Sequence, residues 1–173
     1  MRVKILQTTS SHKFPVVSKL IGLFQKTSYS HYALDFSDLL VLDATKEGVQ
    51  LRGKECFLKN NTVINEYELP NEFDSEKVFK WAEEFDGRRY GFLQVFGIAL
   101  MVLGLIKTNP FGKEQKAIIC NELVLLFMQK FCGVDLYDTD DYDLNTTNKV
   151  ICRYLHEQEF KKRLKEYAKE NSK

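Results

Sequence analysis

Cys120, His31 and Asp43 are the residues of this sequence whose types and spacing could together do chemistry. Cys120 stands in the run Ile118-Ile119-Cys120-Asn121-Glu122-Leu123-Val124, where a helix with apolar later turns is expected to begin. A thiol at a helix start feels the positive end of the helix dipole, which lowers its pKa. The free backbone N–H groups of the first turn can also hold a developing oxyanion. His31 and Asp43 fall in two strand-like runs, Tyr29 to Phe36 and Leu39 to Thr45, with Ser37-Asp38 between them. A symmetric three-residue loop over Phe36 to Asp38 sets a register in which His31 lies directly opposite Asp43. Alternation then puts His31, Ala33, Asp35, Val41 and Asp43 on one face, with Tyr32, Leu34, Phe36, Leu40 and Leu42 on the other. An imidazole N–H shared with a carboxylate has a fixed tautomer, and the imidazolium formed when the ring takes a proton is stabilised. Taken alone, a strand histidine and a turn-proximal acid are an ordinary surface pair. The cysteine gives that pair a proton to move, and the three groups are the minimum set for acyl transfer through a thioester.

The other reactive types lack such a setting. Cys132 ends a helix, Cys152 is mid-helix among Val150, Ile151 and Leu155, and Cys56 is in a short helical turn, so all three are assigned to packing. No CxxC pair and no zinc-ligand spacing is present, so free thiols, no metal and no cofactor are expected. His12 and His156 are read as surface residues. Glu122 is read as a partner of the helix dipole rather than a catalyst. Tyr90, before a long apolar run, either lines the substrate pocket, donates to the oxyanion or merely packs. Tyr32, beside the histidine, is a second expected substrate contact.

The elements that must position these groups are short. Val3 to Gln7, Gly48 to Leu51 and Thr62 to Leu69 look like further strands, and Phe14 to Lys26 has apolar residues at the spacing of one helical face. Asp74 is the expected N-cap of a helix running to Phe85, ended by Asp86-Gly87. Gly91 to Ile106 carries no charge, but it is short for a span, contains Gln94 and is flanked by Arg88, Arg89 and Lys107; a buried core helix is expected, not a membrane span. Thr108 to Gly112 breaks the chain before the cysteine helix. Tyr137 to Tyr142 is acidic and turn-like, and Leu144 onward is helical, with Lys161 to Lys173 as its solvated face. Small strands between helices indicate an α+β domain.

A length of 173 residues with 44% hydrophobic content suits one domain over 1–173 with a proper core. The 25 basic residues are offset by 24 acidic ones, so no global field favours nucleic acid or an acidic membrane surface. Met1 to Gln7 lacks the apolar core of a signal peptide, and a cytoplasmic location is expected.

These residues resemble a known family. Thr27-Ser-Tyr-Ser-His-Tyr-Ala-Leu34 is similar to the histidine strand of the circularly permuted NlpC-type cysteine peptidases and amidases, a branch of the papain-like superfamily. Val41-Leu-Asp-Ala-Thr45 with Gly48-Val-Gln-Leu51 resembles the strand carrying the third catalytic member. Arg89-Tyr-Gly-Phe-Leu-Gln94 looks like the aromatic-led helix start, and Ile119-Cys-Asn-Glu-Leu-Val124 like the nucleophile helix. The order, histidine before cysteine, is the signature of the permutation. Asn121 in place of the usual serine, Asp43 as third member and Tyr32-Ala33 in place of Val-Gly depart from the pattern without removing a needed group. The resemblance implies a permuted papain-like fold and a thiol hydrolase cleaving a peptide or acyl-amide bond, with Cys120 as nucleophile and His31 as base. Its alternatives are a lipid acyltransferase or thioesterase of the same fold, or a catalytically idle binding module. The compact architecture is compatible with a phage origin.

Overall fold

The alternating apolar residues near the N-terminus build a sheet, and the longer apolar repeats build the helices that cover it. The computed structural model describes residues 1–10, 27–111, 117–136 and 143–170. His12, the helix expected over Phe14 to Lys26 and the acidic turn over Tyr137 to Tyr142 lie outside the described residues. In chain order the elements are β1 Val3–Ser10, β2 His31–Phe36, β3 Leu40–Thr45, β4 Gly48–Gly53, α1 Lys54–Leu58, β5 Asn61–Glu68, α2 Ser75–Phe85, β6 Arg89–Tyr90, α3 Phe92–Val102, β7 Ala117–Ile118, α4 Cys120–Cys132 and α5 Leu144–Glu170. The fold is mixed α+β.

β1 to β5 form one antiparallel sheet in the order β4-β3-β2-β1-β5. The register between β2 and β3 differs from the sequence expectation. Asp43 pairs with Ala33 rather than with His31, and Phe36 pairs with Leu40. The loop is Ser37 to Leu39, centred on Asp38, because Ser37 and Asp38 both turn into the left-handed region, with φ of 55° and 62°. Asp tolerates that conformation when local hydrogen bonds support it. Here the Asp38 N–H donates to Asp35 Oδ1 at 3.0 Å and the Leu39 N–H to the Phe36 carbonyl at 3.2 Å. The displacement is two residues, an even number, so every side chain keeps its expected face.

One face carries Tyr32, Leu34, Phe36, Leu42 and Ala44, which pack with Leu123, Val124 and Phe127 of α4 and Val78, Trp81 and Phe85 of α2. Phe127 is fully buried, with ring centroids of Phe73, Trp81 and Phe131 at 5.5, 5.4 and 4.8 Å. The opposite face holds Leu6, Ala33 and Val41 under Phe57 of α1. α2 starts as expected: the Asp74 side chain accepts from the N–H groups of Glu76 and Lys77 at 3.0 and 3.3 Å.

The expectation of a fully buried core helix after Gly91 is not met. α3 packs through Gln94, Gly97 and Ile98, while Phe92, Leu93 and Phe96 are exposed. Its contact side is set by a close approach: a Cβ at Gly97 would come within 1.9 Å of Asn109 Oδ1, and Asn109 Nδ2 donates to the Gln94 carbonyl at 3.0 Å. α5 is anchored by Leu144, Ile151 and Tyr154, and its later part, Lys161 to Lys169, is exposed. No helix among the described residues is long and apolar enough to cross a membrane.

Candidate active site

Cys120 is the first residue of α4 and is buried. The preceding Ile119 is extended, and its N–H donates to Glu122 Oε2 at 3.4 Å, so an acid in the first turn holds the helix entry as expected from the dipole. Gln94 Nε2 donates to the same oxygen at 3.4 Å and ties α3 to that turn. β6 and β7 pair in parallel, with Tyr90 beside Ile118, and the Gly91 N–H donates to the Ile118 carbonyl at 3.1 Å. This small pairing sets Tyr90 next to the start of the cysteine helix. A small open cleft of about 30 Å³ lies there, lined by Ser30, Tyr90, Val95, Ile98, Asn121, Asp143 and Leu144 around Cys120.

His31 is the first residue of β2, and its imidazole interacts with the Cys120 thiol. Its Nε2 lies 3.4 Å from Asp43 Oδ2, an ion-pair contact without the alignment of a hydrogen bond. His31 and Asp43 are therefore diagonal rather than direct cross-strand neighbours, still on one face. Burial by itself pushes the Cys120 thiol up, but the charge of His31 and its hydrogen bond, together with the backbone N–H groups of Tyr32 and Asn121, bring it below the ordinary thiol value of 9.0. Burial by itself pulls His31 down, but the charge on Cys120 and the Asp43 carboxylate outweigh it and raise the ring to about 10. The two shifts have one physical meaning, a thiolate and an imidazolium that stabilise each other. Burial and the negative charge of Cys120 raise the Tyr90 phenol, which keeps its proton.

Sequence reasoning missed Arg52. Its Nη2 donates to Asp43 Oδ2 at 2.7 Å, the same oxygen that faces His31, and its guanidinium lies 5.4 Å from the Phe57 ring centroid. The available signal was parity: once Gln50 faces Asp43 and Arg52 faces Val41, Arg52 shares the face of Asp43. Ser30 and Leu144 in the cleft carry no signal of comparable kind, because a loop position and the start of α5 meet Cys120 only in the folded chain.

Tyr32 corrects another expectation. Its ring is fully buried on the α4 side and its hydroxyl donates to the Leu144 carbonyl at 3.1 Å and accepts from Gln7 Nε2 at 3.0 Å. The side chain is thus committed to a polar network under the cleft, and only its backbone N–H reaches the thiol. Of the other cysteines, Cys56 and Cys152 are exposed and Cys132 is half-buried, with burial pushing its thiol up to about 11. His156 is exposed. Asp35, Asp38 and Glu66 bring carboxylate oxygens within 4.8 Å of one another, yet Lys4 and Lys54 already sit between them.

Comparisons with protein-family models, with curated proteins and with solved structures returned no match. The chemistry of the site therefore rests on its own geometry.

Proposed function

We propose that the chain is a cysteine hydrolase of permuted papain-like, NlpC-type architecture that cleaves a peptide or acyl-amide bond. The observation that carries the proposal is a buried thiol at a helix start, lowered below its ordinary pKa by a histidine whose far nitrogen lies 3.4 Å from a buried carboxylate. With Nε2 on the Asp43 side, Nδ1 of His31 is the ring nitrogen left to take the Cys120 proton. The thiolate attacks the carbonyl carbon, and the electron pair of the C=O bond moves to oxygen. That oxyanion is met by N–H groups of the first turn of α4, with the protonated Tyr90 hydroxyl as a second donor. Collapse forms the thioester and expels the amine, which takes the proton from the imidazolium. Water, deprotonated by His31, then attacks the thioester, and Cys120 leaves as thiolate. Asp43 holds the ring, and Arg52 holds Asp43.

Thiol alkylation tests this reading without a known substrate. Accessibility alone ranks Cys56 and Cys152 ahead of Cys120, whereas thiolate character ranks Cys120 first. Iodoacetamide at neutral pH, followed by peptide mapping, is expected to modify Cys120 fastest. Labelling of Cys56 and Cys152 ahead of Cys120 would overturn the proposal, as would equal labelling of all four.

A further inference from the structure

A helix that is apolar around its whole circumference is ordinarily enclosed on all sides. α3 is such a helix, since no charged residue occurs from Gly91 to Ile106. Yet among the described residues it is enclosed on one side only. Phe92 is 59%, Leu93 48% and Phe96 55% exposed, and Leu103 just beyond its end is 52% exposed. Their spacing places them on one stripe of the helix. An apolar ridge this continuous marks an interaction surface rather than scattered surface residues.

Two observations say what covers it. The chain flanking the helix is basic: Arg88 and Arg89 precede it, Lys107 follows it, and no Asp or Glu occurs between Gly87 and Phe111, with Asp86 just before this stretch and Asp143 across the cleft. Arg89 and Lys107 are both exposed. The ridge also adjoins the cleft, because Tyr90 before α3 and Val95 and Ile98 within it line the space over Cys120. Aromatic and leucine side chains bounded by cations complement an anionic bilayer, whose acyl boundary takes the apolar groups and whose headgroups take the cations. With 11 residues α3 is about 16 Å long, against roughly 30 Å of hydrocarbon in a bilayer. It can lie along a membrane but cannot span it.

We propose that α3 is a docking surface for an anionic lipid bilayer, with Phe92, Leu93 and Phe96 entering the interface and Arg89 and Lys107 meeting headgroups, so that the cleft over Cys120 opens at the membrane surface. A second copy of the chain would cover the apolar ridge, but it would bring its own cationic rim against the first. Docking rests on α3 and not on the thiol chemistry, and it is read without turnover.

The test is co-sedimentation of the full chain with vesicles of phosphatidylcholine alone or mixed with phosphatidylglycerol, at low and high salt. Binding is expected to the mixed vesicles and to weaken with salt. The double variant Phe92→Ser/Phe96→Ser is expected to bind at least about tenfold more weakly, and Arg89→Ser/Lys107→Ser roughly tenfold more weakly with a shallower salt dependence. These side chains are exposed, so circular dichroism should match the wild type in both variants, and Cys120 alkylation should match it in Arg89→Ser/Lys107→Ser, which leaves the Phe92 ring against Tyr90 at 5.0 Å in place. Absence of binding to either vesicle overturns the proposal, and so does equal binding by wild type and the Phe92/Phe96 variant. A wild-type dimer dispersed by Phe92→Ser/Phe96→Ser also overturns it, by assigning the ridge to a second copy. If vesicle binding follows the expected pattern while Cys120 labels slowly, docking stands and the thiol reading falls.

Discussion

Two buried aspartates on the same face of the same hairpin are held in different ways. Asp35, near the turn, accepts from Lys54 Nζ at 2.6 Å through Oδ2 and from the Asp38 N–H at 3.0 Å through Oδ1. Lys54 in turn reaches Asp38 at 2.6 Å, and Lys4 bridges Asp38 and Glu66 at 2.9 and 3.0 Å. Each charge has an opposite neighbour. Hydrogen bonds from Lys54 and Lys4 hold the Asp38 carboxyl well below its usual range, and donating to Asp38 and Glu66 raises Lys4. Asp43, towards the other end of the hairpin, offers one oxygen, Oδ2, to both Arg52 at 2.7 Å and His31 at 3.4 Å, while Oδ1 has no hydrogen-bond partner among the described residues. The first arrangement closes on itself and pins a turn. The second leaves an imidazole facing a thiol. One buried carboxylate is thus enclosed by matched charges, and the other shares a single oxygen between two partners.

Substitutions can break that contrast. The largest effect is expected from His31→Ala, which removes the charge that offsets burial at Cys120. Its thiol should return to 9.0 or above, and alkylation at neutral pH should slow by roughly 10- to 100-fold. The same chemistry sets a pH profile. In the wild type the thiolate forms below pH 9.0, so the alkylation rate should have an inflection on the acid side of that value, which His31→Ala moves to the alkaline side. An unchanged inflection would detach His31 from the thiol.

Asp43→Asn should come next. It leaves the Arg52 guanidinium without a counter-charge and is expected to cost about 3 kcal/mol in denaturant unfolding, with Cys120 alkylation slowed roughly tenfold. Asp35→Asn leaves Lys54 paired with Asp38, so a loss of about 2 kcal/mol is expected, with alkylation unchanged. If both variants slow alkylation equally, the two clusters do not differ in role. The smallest effect belongs to Arg2→Ala. Its pair with Glu68 at 3.3 Å is exposed on both sides, and unfolding should change by less than about 0.5 kcal/mol.

Much of this was legible in local signals. Asp74 capped its helix because an acid at that position accepts from the next free N–H groups whatever the rest of the chain does. The apolar repeat made Ile118 to Phe131 legible as helical, but the helix begins only at Cys120, because Ala117–Ile118 pairs with Arg89–Tyr90 as a strand. The common face of His31 and Asp43 was legible from period-2 alternation, which an even register error leaves intact. The pairing itself was not, because it depended on Ser37 and Asp38 entering the left-handed region, an outcome decided by hydrogen bonds from Asp38 and Leu39.

By itself the sequence determined the larger elements, the α+β class and the common face of His31 and Asp43, but not the short strands Arg89–Tyr90 and Ala117–Ile118, because alternation, capping and helical repeat act over a few residues and two-residue strands carry no such pattern. Only the tertiary structure decided that Arg52 shares an oxygen with His31, that Tyr32 turns its hydroxyl to the Leu144 carbonyl, and that α3 buries one side and exposes the other. Those outcomes join residues far apart in the chain, and they follow from which surfaces remain once the sheet and its helices have packed.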